Sequence, residues 1–195
     1  VRVGVLALQG AFREHVAVLR RLGVDAREVR TPAELDASDA LVLPGGESTT
    51  VGKLLHSSGL REPVAGFPGA ILGTCAGMIV LAREASDDLP GQLLLGRIDL
   101  AVRRNGYGRQ ARSFEAPLDL SGEDTPFPGV FIRAPRIESL GEGVEVVATL
   151  DGEPVAARQG PIMVTAFHPE LTGDARLHRR FLDLAREATA GAEAA

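Results

Sequence analysis

Along the first half of the chain, apolar positions come in short continuous runs separated by amphipathic stretches. Val1-Arg2-Val3-Gly4-Val5-Leu6-Ala7-Leu8 is the first run and stops at Gln9-Gly10. After it, Phe12, Val16, Leu19 and Leu22 recur at the three- and four-residue spacing of one helix face. Gly23-Val24 through Val29 predicts a second strand, and Ala40-Leu41-Val42-Leu43 predicts a third that ends at Pro44-Gly45-Gly46. Glu47-Ser48-Thr49-Thr50 opens a helix carrying Val51, Leu54 and Leu55, where a Ser or Thr oxygen can cap the first free N–H groups. Ala70-Ile71-Leu72 is the fourth run. Strands apolar on both sides, alternating with amphipathic helices, predict a parallel sheet covered on both faces.

From Gln92 onward the pattern changes. Short strand-like segments follow with little helix between them: Leu93 to Val102, Ala111 to Leu118, Gly129 to Arg133, Val144 to Leu150, Pro154 to Arg158 and Ile162 to Phe167. They predict a mixed or antiparallel extension of the same sheet. A last helix is expected from Gly173 to Ala188, burying Leu177, Phe181 and Leu184, with a frayed tail over 190–195. Residues 1–195 therefore read as one three-layer α/β/α domain with a mixed, mostly parallel central sheet. In open sheets of this kind chemistry collects beyond the carboxyl ends of the strands, so Gln9-Gly10, Gly45-Gly46-Glu47 and Cys75 should gather there.

Composition narrows the function classes. The chain has 195 residues, of which 45% are hydrophobic, enough for one globular core. A net charge of −5 with scattered arginine pairs gives no electrostatic footprint for nucleic acid. Val3 to Leu8 is too short to cross a bilayer and lacks the pattern of a signal peptide, so no membrane association is expected. One cysteine excludes an internal disulfide framework, and no Cys/His cluster has zinc spacing. A cytoplasmic protein with neither metal nor cofactor is the expectation.

That single cysteine carries the chemistry. Cys75 stands in Ile71-Leu72-Gly73-Thr74-Cys75-Ala76-Gly77-Met78, an apolar strand, a small-residue turn and an apolar helix start. This is the pattern of a nucleophile elbow, where glycines on both sides allow the sharp bend and close approach of a substrate. The helix start would help ionise the thiol and offer N–H groups to an oxyanion. A lone cysteine is equally compatible with a small buried hydrophobe, so a partner base is needed. Phe167-His168-Pro169-Glu170, after the last predicted strand, supplies one. On an extended segment, residues two apart point the same way, so Glu170 can orient one imidazole nitrogen of His168 while the other addresses Cys75. Taken alone, the segment also fits a surface His-Pro turn.

Together, Pro44-Gly45-Gly46-Glu47, Gly73-Thr74-Cys75-Ala76-Gly77 and His168-Pro169-Glu170 resemble the three signatures of class I, triad-type glutamine amidotransferases, which share a flavodoxin-like fold. Further blocks are similar to the glutaminase subunits of pyridoxal 5′-phosphate synthases. These are Gly4 to Ala11, Arg13-Glu14-His15, Gly45-Gly46-Glu47-Ser48-Thr49-Thr50, Arg104-Asn105, Tyr107-Gly108-Arg109-Gln110 and Phe131-Ile132-Arg133-Ala134-Pro135. The resemblance spans nearly the whole chain. It implies hydrolysis of L-glutamine to glutamate and ammonia, with the ammonia passed to a synthase subunit that builds pyridoxal 5′-phosphate from a pentose phosphate and a triose phosphate. It implies Cys75 as nucleophile, His168 as acid and base, and Glu170 as its orienting group. The Ala76 N–H and one from Gly45-Gly46 become the oxyanion donors. Gly46, Glu47 and Ser48 become glutamine contacts, with Arg104, Ile132 and Arg133 completing the pocket; a guanidinium suits the substrate carboxylate. A peptide of the glycine loop that rotates into place would let the partner control activity.

Other readings stay open at this level: a glutaminase of another pathway, a related γ-glutamyl hydrolase, or a non-catalytic module that kept the fold. His15 and His178 are expected on partner-facing or solvated helix surfaces, and His56 near a helix end. Gln9 ends the first strand near the active edge. With no phosphate-binding loop, the chain is not expected to bind the sugar phosphates itself.

Overall fold

The computed structural model of the chain describes residues 1–87, 90–107 and 113–193. Gly108, Arg109 and Gln110 of the block that begins at Tyr107, and Ala111 at the head of a predicted strand, lie outside the described residues. The amino-terminal half alternates as its apolar runs predict. Strand β1 (Arg2–Leu6) leads to helix α1 (Phe12–Arg21), β2 (Asp25–Val29), α2 (Pro32–Asp36) and β3 (Ala40–Leu43). Next come α3 (Ser48–Ser57), α4 (Arg61–Ala65), β4 (Ala70–Thr74) and α5 (Ala76–Leu81). The two short helices α2 and α4 have no apolar face long enough to read from periodicity. Helix α2 forms because Thr31 and Glu34 make a reciprocal capping box with Pro32 in the first turn.

Strands β1, β2, β3 and β4 pair in parallel, in the order β2-β1-β3-β4, and β12 (Ile162–Thr165) adds in parallel beside β4. Every residue of β3, β4 and β12 is buried, as covering on both faces requires. The order reverses direction between β1 and β3, and right-handed crossovers then put α1 on one face and α3–α4 on the other. Helix α6 (Arg176–Glu193) shares the α1 face: His15 of α1 meets His178 of α6. It runs past the expected end at Ala188, so residues 190–193, expected to fray, are helical.

Beyond β12 the sheet turns antiparallel through β11 (Glu153–Gln159), β10 (Glu145–Leu150), β7 (Ser113–Leu120) and β8 (Phe127–Ile132). In this flap the outer strands β7 and β8 are buried on alternate positions only, and it curls until the His168 N–H donates to Val130 O at 2.8 Å. Part of the expected extension is instead a separate three-stranded sheet. It consists of β5 (Ala82–Ala85), β6 (Ile98–Arg103) and β9 (Arg136–Leu140). Two of its strands escaped the sequence reading: β5 follows α5 with no turn residue between, and β9 carries too few apolar positions to show a period. Among the described residues, no helix is long and apolar enough to cross a membrane.

Candidate active site

Strand β4 delivers Cys75 to the carboxyl edge of the parallel half. Its backbone sits at φ 50°, ψ −105°, a conformation that L side chains rarely adopt. The strain is held from both sides, because the Cys75 N–H donates to Thr165 O at 2.8 Å and Gly77 packs against the Leu43 carbonyl where a Cβ would collide. Ala76 is the first residue of α5, so its N–H has no partner within the helix.

Strand β12 delivers the base beside it. The chain does not stay extended after Phe167: Pro169–Leu171 forms one 3-10 turn with His168 as its N-cap. The turn still brings the pair together, with His168 Nδ1 2.7 Å from Glu170 Oε1 and both residues buried. Burial pulls the His168 imidazole down, but hydrogen bonds to Cys75 and Glu170 outweigh it and raise it to about 10. Burial likewise opposes the Glu170 charge. His15 and His168 together overcome that and hold the carboxyl well below the usual carboxylate range.

The third wall is the loop after β3. A Cβ on Gly45 would collide with His168 Cε1, and one on Gly10 would collide with the Gly45 carbonyl, so both glycines are required for close approach. Gln9 steadies this loop by accepting from the Glu47 N–H at 2.9 Å.

Gly46, Glu47, Ser48, Cys75, Arg104, Ile132, Arg133 and His168 all line one cleft of about 310 Å³. Glu170 stands behind His168, outside the lining. The cleft therefore gathers every residue expected to form the glutamine pocket, yet three of their side chains are already engaged. The Glu47 carboxylate caps α3, accepting from Thr49 N, Thr50 N and Thr50 Oγ1, and also from Arg104 Nη2 at 3.1 Å. The Ser48 hydroxyl donates to Gln92 Oε1 at 2.8 Å. Nothing in the local pattern around Gln92 marked it. Arg104 is mostly buried, and its Nε has no partner among the described residues. Arg133 is exposed at the mouth with φ 45°, and the Ile132 carbonyl lies 3.8 Å from Cys75 Sγ.

One expectation is overturned. His15 and His178 are fully buried and face each other, His15 Nδ1 to His178 Nε2 at 3.0 Å. His15 shares the stripe of Phe12, Val16 and Leu19, and His178 that of Phe181 and Leu182, so helical spacing could have placed both inside.

A cysteine on a strained strand-to-helix turn, with a buried His–Glu pair on the turn after the adjoining parallel strand, marks the class I glutamine amidotransferase-like fold. The SNO glutamine amidotransferase family matches residues 5–187, and the chain belongs to that family. Two relatives are named "Pyridoxal 5'-phosphate synthase subunit PdxT". The one from Deinococcus radiodurans is 55% identical over 95% of this chain and 97% of its own. The one from Chloroflexus aggregans is 57% identical over 93% and 99%. A solved structure titled "Crystal structure of glutamine amidotransferase" superposes with a TM-score of 0.87 at 52% identity, covering 94% of this chain and 98% of the other.

Proposed function

We propose that the chain is one glutaminase domain that hydrolyses L-glutamine and supplies the ammonia to the synthase subunit of a pyridoxal 5′-phosphate synthase. The carrying observation is the Cys75–His168–Glu170 constellation at the floor of a cleft with two arginines at its wall. Cys75 Sγ attacks the side-chain amide carbon, forming a C–S bond and an oxyanion. His168, held as an imidazolium, protonates the nitrogen as the C–N bond breaks and ammonia leaves. Water then gives a proton to His168 and attacks the thioester, and as the C–S bond breaks glutamate departs and the Cys75 thiolate and His168 imidazolium are restored. Ala76 N–H and Gly46 N–H serve the oxyanion in both steps.

Arg104 and Arg133 take the substrate α-carboxylate, with Gly46, Ser48 and Ile132 shaping the pocket around them. Glu47 acts through Arg104, which it holds in place. The free thiol suits a reducing compartment, and we place the reaction in the cytoplasm. Glutamate release should be stimulated by the synthase subunit, and Cys75→Ala should lower it by about 10⁴-fold or more, by analogy with loss of a triad nucleophile. Equal rates for the two proteins would remove the catalytic reading. Absence of stimulation would remove the partner while leaving the glutaminase intact.

A further inference from the structure

Behind the triad, buried polar groups continue into the core. Glu170 Oε1 serves His168, while Oε2 makes no well-angled hydrogen bond among the described residues and meets His15 Nε2 as an ion-pair contact at 3.2 Å, both side chains fully buried. His15 Nε2 is also 3.3 Å from Thr74 Oγ1, on the residue just before Cys75. His15 thus touches both the strand that carries the thiol and the turn that carries the acid. On its other side, His15 Nδ1 meets His178 Nε2 at 3.0 Å. Packing alone does not explain two buried histidines aligned on a carboxylate, since apolar side chains would fill the space between α1 and α6 at lower cost.

We propose that His15, set in place by His178, is the positioning residue for Glu170, holding its second oxygen so that the first stays on His168. The inference rests on the triad reading above. A carboxylate only accepts, so the proton between them belongs to His15 Nε2. His15 Nδ1 then accepts from His178 Nε2–H. The remaining nitrogen, His178 Nδ1, has no partner among the described residues, and as a bare acceptor it costs less than an orphaned N–H. Burial pushes His178 down to about 3, in keeping with a neutral ring in this role. The titratable and charged groups around Glu170 and this pair are then His15 and Arg21 from α1, His168 from the turn, Cys75 from the elbow and His178 from α6.

The test compares His15→Gln with His15→Asn in complex with the synthase subunit, across the range from about pH 6 to about pH 10. A glutamine Nε2 can reach the place of the imidazole Nε2, whereas an asparagine nitrogen reaches only that of Nδ1. His15→Asn should lower kcat roughly 100-fold with KM for glutamine within about twofold. The alkaline limb of its kcat profile should move to lower pH, because a loosened Glu170 stabilises the His168 imidazolium less. His15→Gln should recover to within about fivefold of wild type, and His178→Leu should fall between the two. Equal kcat and equal pH profiles for the Gln and Asn variants would overturn the proposal. So would a loss in both with an unmoved alkaline limb, which marks a packing role. A wild-type complex that releases no glutamate would instead sink the triad reading itself.

Discussion

Every residue of β3, β4 and β12 is buried, whereas β7 and β8 are covered on one face and end in a loop open to solvent. The two halves share one sheet but carry different parts of the cleft. The parallel half holds Cys75 and the His168–Glu170 turn among buried side chains and ties the Cys75 N–H to Thr165 O, while Val130 O of the flap takes the His168 N–H. The flap brings Ile132 and Arg133, the latter exposed and at φ 45°. Under the proposed function, the groups that break bonds sit where packing leaves them one position, and the recognition groups of the flap sit where solvent and substrate can enter. The division has a kinetic consequence: damage to the parallel half should fall on kcat, and damage at the cleft wall on KM.

The largest effect should come from Glu170→Gln. The amide keeps the shape but loses the charge that favours the His168 imidazolium, and it can bind the wrong tautomer. A fall in kcat of about 10³- to 10⁴-fold with KM little changed is expected from steady-state glutamate release, by the analogy of a triad acid converted to its amide. A comparable rise in KM would break the division. Smaller effects are expected at the wall. Arg104→Ala should raise KM about 100-fold, because its guanidinium is largely buried with an unengaged Nε, and Arg133→Ala about 10-fold, because water screens it. In both, kcat should stay within about threefold of wild type. A reversed order would mean that Arg133 closes over bound glutamine and is desolvated there.

The same division governs what the sequence disclosed. Continuous apolar runs at Val3 to Leu8, Ala40 to Leu43 and Ala70 to Leu72 announce strands buried on both faces, and glycines around Cys75 announce the elbow. Those signals are local, since each is complete within a few residues. The three-stranded sheet was illegible because β5, β6 and β9 are joined by long-range pairing, Leu100 opposite Leu140 for instance, which no local pattern encodes. Glu47 entered as a glutamine contact through the resemblance of its block. That it also caps α3 through Thr49 and Thr50 is local, but its bond from Arg104, 57 positions away, is not. His15 and His178 were misplaced for a different reason. Their spacing put them on apolar stripes, but histidine is counted among surface residues unless a buried partner is known, and the partner is 163 positions distant.

The smallest predicted effect tests whether the flap transmits anything inward. Phe114 of β7 stacks on Phe131 of β8, ring centroids 4.5 Å apart and planes 5° from parallel, immediately before Ile132 and Arg133. Phe131 in turn lies against Phe167, ring centroids 5.6 Å apart, on the segment that leads to His168. Phe114→Leu removes the stack while keeping most of the apolar volume, so it should cost about 1 kcal/mol of stability in denaturant unfolding. If the halves act separately, KM and kcat should each move by less than about twofold, because Phe131 stays buried against Phe167. A tenfold rise in KM would show that the aromatic stack sets the backbone of Arg133. A fall in kcat would show that the chain of rings reaches His168 and that recognition and chemistry are not divided at β12.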